Sequence, residues 1–300
     1  MKRFFICAAA AIVALASCSK TEVVNTSAPE EIGFKAVTGA ITKAEQDAAT
    51  LDGTMGVFAF VHGESTSYFS NTSFSDKGTY WGGTAAPMYW PVTSGLDFAV
   101  YAPYQASGAS ATNTSLTVDT DNSENTTIGT QTDYLYGAAY YNNEGAGYDK
   151  DTESVPVTLN HAQAKVTVSF TGENVTVTSV KLDAPVLKGS YTVNYSDNPV
   201  KPDWTPGEAN TAVTLISEAE LTDVPATASL LVVPETTSTI TFTYQIKGSA
   251  TTLDYTITPA ANWAYGTHYE YSVTVNPKEI KFEPSVSFDW TTGATTGTTL

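Results

Sequence analysis

An all-β chain folded as antiparallel β-sandwiches is what this sequence predicts, and three observations carry the prediction. The first is a repeated period of two. Val166-x-Val168-x-Phe170, Ile240-x-Phe242-x-Tyr244-x-Ile246 and Tyr269-x-Tyr271-x-Val273-x-Val275 each alternate with polar residues, the signature of strands with one face buried and one wet. The second is turn chemistry at short intervals, as at Trp81-Gly82-Gly83, Ser94-Gly95, Asn142-Asn143, Asp197-Asn198-Pro199 and Pro206-Gly207. The third is composition. Only 15% of the 300 residues are charged while 42% are apolar and 11% aromatic. The wet surface is therefore built from Thr, Ser, Asn and Gly, which suit strands and turns. No dozen-residue window keeps a helical period, and a short helical turn is expected only at Ser217–Leu221.

From the N-terminus, Met1-Lys2-Arg3 is a positive leader followed by an Ala-rich apolar stretch, Phe4–Ala16. That stretch is too short to span a bilayer as a helix and reads as a secretory signal occupying residues 1–17. It closes on Leu15-Ala16-Ser17-Cys18, the pattern of a bacterial lipoprotein box in which Cys18 receives the lipid. Cys7 falls within the signal, so Cys18 is the single cysteine of the exported chain, and no disulfide is expected. Residues 18–31 are polar and read as a tether. Lipid attachment at Cys18 implies palmitate-type acylation and an outer-membrane anchor, durable because such proteins carry more than one acyl chain.

The mature chain divides at Thr171-Gly172-Glu173-Asn174, which follows a strong strand. This predicts an N-terminal domain over residues 32–172 and a C-terminal one over 173–300, each of a size for one sandwich. Gln105–Thr132 and Tyr195–Thr211 read as long loops. The C-terminal segment, about 278–291, presents Ile280, Phe282, Val286, Phe288 and Trp290 on one parity, with Pro284 in the same register. A free alternating strand at a chain end is what strand addition requires. At the other end Ile32, Phe34 and Ala36 alternate until Gly39 breaks the pattern.

The acidic balance, net −17 with a single arginine at Arg3, provides no electrostatic footprint for nucleic acid. No metal box, nucleophile elbow, phosphate loop or Cys–His pair appears, so neither catalysis nor a cofactor is expected. Asp119-x-Asp121-x-Ser123 lacks the Gly and Glu that complete a calcium loop. His161 reads as a packed strand histidine. The aromatics Tyr80-Trp81, Tyr89-Trp90, Tyr134, Tyr136, Tyr140-Tyr141 and Trp204, several of them beside turns or loops, could stack on sugar rings or could simply pack in the core.

Taken in order, seven segments resemble the fimbrillin-like lipoproteins of Bacteroidales, the pilins of type V pili. They are Leu15–Cys18, Ile32–Ala36 with Thr42-Lys43-Ala44, and Gly56–Phe60. Tyr89-Trp90-Pro91 leading into Leu96–Pro103 comes next, then Leu159–Val166, Leu231–Glu235 and Trp263–Tyr271. The resemblance implies two transthyretin-like sandwich domains in tandem and export as a lipoprotein precursor. It further implies proteolytic removal of the N-terminal strand, residues 32–43. Polymerisation into surface fimbriae for adhesion and biofilm then follows by donor-strand exchange with other copies or related pilins, through the donor strand of residues 278–291. Within that scheme Lys43–Ala44 is the expected cleavage bond. With no arginine nearby, a Lys-specific or relaxed trypsin-like protease is required. Two other functions fit the same chain: a tip or accessory adhesin subunit, and a monomeric glycan-binding surface lipoprotein.

Overall fold

The computed structural model describes residues 30–38, 53–139, 147–222, 224–276 and 279–287. Among these, strands account for all regular structure except one short 3-10 turn at Ile128–Thr130. The first five are β1 (Phe34–Thr38), β2 (Thr54–Val61), β3 (Ser67–Asp76), β4 (Trp81–Gly83) and β5 (Leu96–Ala102). Then come β6 (Ala109–Thr112), β7 (Ser115–Asp121), β8 (Leu135–Ala139) and β9 (Val155–His161). The second half supplies β10 (Ala164–Gly172), β11 (Val175–Leu182), β12 (Lys188–Asn194), β13 (Pro202–Pro206) and β14 (Val213–Glu220). Last are β15 (Ala226–Val232), β16 (Ile240–Ile246), β17 (Thr252–Ile257), β18 (His268–Asn276) and β19 (Glu279–Ser287).

Four sheets result. A closed barrel runs β1-β4-β3-β2-β5-β8-β9. Its interior is filled by Phe34, Met55, Val57, Phe74, Phe98, Val155 and Val157, among others. A four-stranded sheet, β13-β12-β7-β6, packs on the outside of this barrel through Phe58, Phe60, Tyr101, Leu116, Tyr191 and Trp204. Strands β2 and β5 are thus covered on both faces, which is why Gly56–Phe60 and Phe98–Ala102 read as continuous apolar runs. The remaining sheets, β15-β10-β18-β19 and β14-β11-β16-β17, form a sandwich over a core of Val166, Val168, Phe170, Phe242 and Trp263. There Phe170 stacks on Phe242 with ring centroids 4.6 Å apart.

Several expectations are corrected. The Gln105–Thr132 segment holds β6 and β7, in which Leu116, Val118 and Thr120 alternate inward. With threonine as the third buried residue, the apolar signal is too thin to read. Tyr195–Thr211 holds β13, whose Pro202 and Pro206 are tolerated because it is an edge strand paired with β12 alone. Ser217–Leu221 is not helical. It lies largely in β14, an edge strand with a register shift where it pairs with β11 and with Glu218 at φ 48°. Two ladders are parallel rather than antiparallel, β1–β9 and β10–β18.

Strand pairing also places the transition between sheets differently from the expected join. The chain leaves the barrel after His161 and enters the sandwich at Ala164. Thr171–Asn174 is instead the turn from β10 to β11, crossing between the two sheets of the sandwich, with Asn174 at φ 57°. Residues 188–194 then return to pair with β7, and β13 pairs in turn with them. A turn signal marks a reversal of the chain but does not distinguish one within a domain from one between domains.

Candidate functional site

β1 is short, and its alternation decides where it sits. Ile32 and Phe34 carry the even parity inward and are fully buried, Ala36 is half-buried on the same parity, and Lys35 is exposed. The Phe34 ring meets Phe74 and Phe98 edge-on, at centroid separations of 5.2 and 5.0 Å. Such contacts add about 0.5–1.5 kcal/mol per pair to the area buried. Backbone bonds tie down the entry to the strand. Ile32 N–H donates to Met88 C=O at 2.7 Å, Trp90 N–H to Glu30 C=O at 3.0 Å, and Val155 N–H to Gly33 C=O at 2.8 Å. The Tyr80 hydroxyl donates to Glu31 Oε2 at 3.0 Å, and this bond holds the phenol above its usual pKa.

β1 is the strand that closes the barrel. It runs parallel to β9 over five residue pairs and meets β4 through the single pair Phe34–Trp81. Taking β1 away leaves an open sheet, β4-β3-β2-β5-β8-β9, with a groove floored by Phe74, Phe98 and Val157. The receiving residues Phe74, Phe98 and Tyr80 were not singled out in the sequence as partners of β1. They lie 40 to 64 positions from Phe34 and Glu31, and no local spacing links them.

At the other end of the chain, β19 lies at the edge of its sheet, antiparallel to β18. The register sets Ile280 opposite Val275, Phe282 opposite Val273, Pro284 opposite Tyr271 and Val286 opposite Tyr269. Pro284 and Val286 are only half-buried. They line an apolar cavity of about 270 Å³ together with Tyr269, Tyr271 and Thr258–Ala261. Of the sites expected from sequence, Cys18, Lys43, Ala44, Phe288 and Trp290 lie outside the described residues.

The histidines serve the fold. His161 Nδ1 lies 2.9 Å from Asp133 Oδ1 with both side chains buried, and His62 Nδ1 lies 2.8 Å from Asp97 Oδ1. His268 Nε2 lies 2.7 Å from Thr167 Oγ1, which in turn meets Ser229 Oγ at 2.7 Å. Asp121 accepts from the backbone and hydroxyl of its own neighbour Ser123, closing a local turn. The aromatics proposed as sugar platforms are mostly interior. Trp81, Trp90, Tyr134, Tyr136 and Trp204 are buried, whereas Tyr80 is half-buried and Tyr89 exposed; Trp204 donates its indole N–H to Ala162 C=O at 2.8 Å. Tyr140 and Tyr141 lie outside the described residues.

The sequence profile of a family described as fimbrillin-like matches residues 42–290. The chain belongs to the fimbrillin-like family. Solved structures agree in fold. A candidate cell-adhesion protein from Bacteroides uniformis is 18% identical, with a TM-score of 0.59 over 87% of this chain and 99% of that one. A second, from Bacteroides ovatus, is 19% identical, with a TM-score of 0.56 over 89% and 100%. A fimbrial protein from Bacteroides vulgatus is 15% identical, with a TM-score of 0.52 over 87% and 100%. At these identities the likeness is one of fold. Among curated proteins, none matches the chain.

Proposed function

We propose that this fimbrillin-like chain is a structural pilin subunit of two transthyretin-like sandwich units. It is exported as a lipoprotein acylated at Cys18 and polymerised at the cell surface by donor-strand exchange. A Lys-specific or relaxed trypsin-like protease cuts Lys43–Ala44, β1 leaves its slot, and the C-terminal strand of a neighbouring copy, residues 278–291, replaces it. The reading involves no catalysis by the chain itself.

The observation that carries this reading is the position of β1. It closes the barrel, and it ends at Thr38 while the next strand among the described residues begins at Thr54. The Lys43–Ala44 bond lies between them in sequence, so a cut there leaves β1 attached by non-covalent contacts alone. Ile32 and Phe34 contribute about 1.5–3 kcal/mol each through burial. Five apolar donor side chains at the same rate would supply roughly 8–15 kcal/mol, an upper bound before ordering entropy. The donor thus has more large apolar side chains to bury in the slot than β1 has. The buried position of Trp204 removes the main platform for the glycan-binding alternative.

Deleting Lys278–Leu300 tests the reading. The truncated precursor should reach the surface and be trimmed without forming fibres under the electron microscope. Fibres of normal length and number from that chain would refute strand donation.

A further inference from the structure

Two short segments of this chain carry the same pattern at opposite ends. Glu31-Ile32-Gly33-Phe34-Lys35-Ala36 leads into and forms β1, and Glu279-Ile280-Lys281-Phe282-Glu283-Pro284 forms most of β19. The three identities, Glu, Ile and Phe, fall on the three positions through which the first segment grips its slot. Glu31 accepts from Tyr80, Ile32 is fully buried with its N–H on Met88, and Phe34 is wedged against Phe74 and Phe98. Resting on the pilin reading above, we infer that the donor enters the slot of the next copy in the same direction and register as β1. Glu279, Ile280 and Phe282 take the places of Glu31, Ile32 and Phe34.

The proline supports this phase independently. The bond from Val155 N–H to Gly33 C=O fixes the alternation of the parallel β1–β9 ladder. Residues 33, 35 and 37 turn their amides toward β9, and those of 34, 36 and 38 point away from it. In the inferred register Pro284 stands where Ala36 stands, at a position whose N–H the ladder does not use. A slip of one residue would set the proline where an amide must donate and would turn Ile280 and Phe282 out of the groove.

Gly33 is a position that resists. A Cβ at Gly33 would lie 3.0 Å from Tyr80 Cδ2, and Lys281 brings a side chain there. The half-exposed Tyr80 ring must yield by a few tenths of an ångström. Its hydroxyl is held by Glu31, which departs with the trimmed segment, and Glu279 then offers the replacement carboxylate. At the outward position the exposed Lys35 gives way to the exposed Glu283. In the donor's home position Pro284 and Val286 are half-buried beside the apolar cavity.

Disulfide trapping reads the register. Cut after Lys43, the subunit has no cysteine of its own. Val37 pairs with Thr158, and the inferred register places Ser285 at the Val37 position. Fibres assembled from a mixture of Ser285→Cys and Thr158→Cys subunits should therefore give covalent dimers on oxidation. Ser287→Cys with Thr158→Cys, a two-residue slip, should give at least ten-fold fewer. Lys281→Gly, which relieves the contact with Tyr80, should assemble no slower than the parent. Fibres that trap through Ser287, or through neither cysteine, would overturn the register while leaving strand exchange standing. If trimmed parental chains form no fibres at all, the pilin reading falls and the register with it.

Discussion

Phe34 meets Phe98 edge-on, with ring centroids 5.0 Å apart and planes at 83°, and this contact fastens the first strand of the chain to the inside of its barrel. A second edge-on contact, to Phe74, clamps the same ring from another side. The Phe34→Ala precursor should therefore lose about 3–5 kcal/mol of stability, the usual range for emptying a packed aromatic site. Denaturant unfolding of the uncut precursor checks it. Lys35→Ala, one residue away but exposed, should change stability by no more than about 0.5 kcal/mol.

Cleavage at Lys43 is the next point of exposure to experiment. Lys43→Gln should leave surface protein with its N-terminal segment uncut and abolish fibres. Lys43→Arg should be cut by trypsin-like enzymes and restore them. Mass spectrometry of the N-terminal peptide distinguishes these outcomes.

His268 gives the fold a pH dependence whose sign follows from its surroundings. Burial, and secondarily the charge of Lys165, lowers its pKa from 6.5 to about 4. Between those values the unfolded chain binds a proton that the folded imidazole refuses. Stability therefore falls as pH drops from about 6.5 to about 4, and His268 contributes no further change below that. Because the ring is partly exposed, the loss is discounted to about 1–2 kcal/mol. Denaturant unfolding of the parent and of His268→Gln at pH 7 and pH 4.5 should show a smaller decline in the variant.

Trp204 is a packing residue, with its ring 5.4 Å from that of Tyr191 and its indole N–H on Ala162. Trp204→Ala should cost about 3–5 kcal/mol and leave a glycan-array profile unchanged. Loss of a specific glycan signal without loss of stability would revive the binding-lipoprotein alternative.

Much of the β architecture was legible because alternation over six or seven residues has one physical reading. Ile240–Ile246 and Tyr269–Val275 both lie in strands with that alternation inward. β7 was missed because Thr120 serves as its third buried residue, and β13 because prolines mark its ends. The Thr171–Asn174 turn was visible, but whether it separates domains depends on which distant strands pair, and β12 pairs with β7 across some seventy residues. The candidate site was half visible. The alternation of Ile32, Phe34 and Ala36 marked the strand, whereas its receptors Tyr80, Phe74 and Phe98 come together only through the barrel.

The central claim is that this chain matures by losing its first strand and survives on the surface as a polymer. N-terminal sequencing of protein sheared from cells, paired with electron microscopy of the same material, tests it most directly. The account predicts fibres whose subunits begin at Ala44. Sheared protein that still carries an acylated Cys18 at its N-terminus, with no fibres, would contradict it.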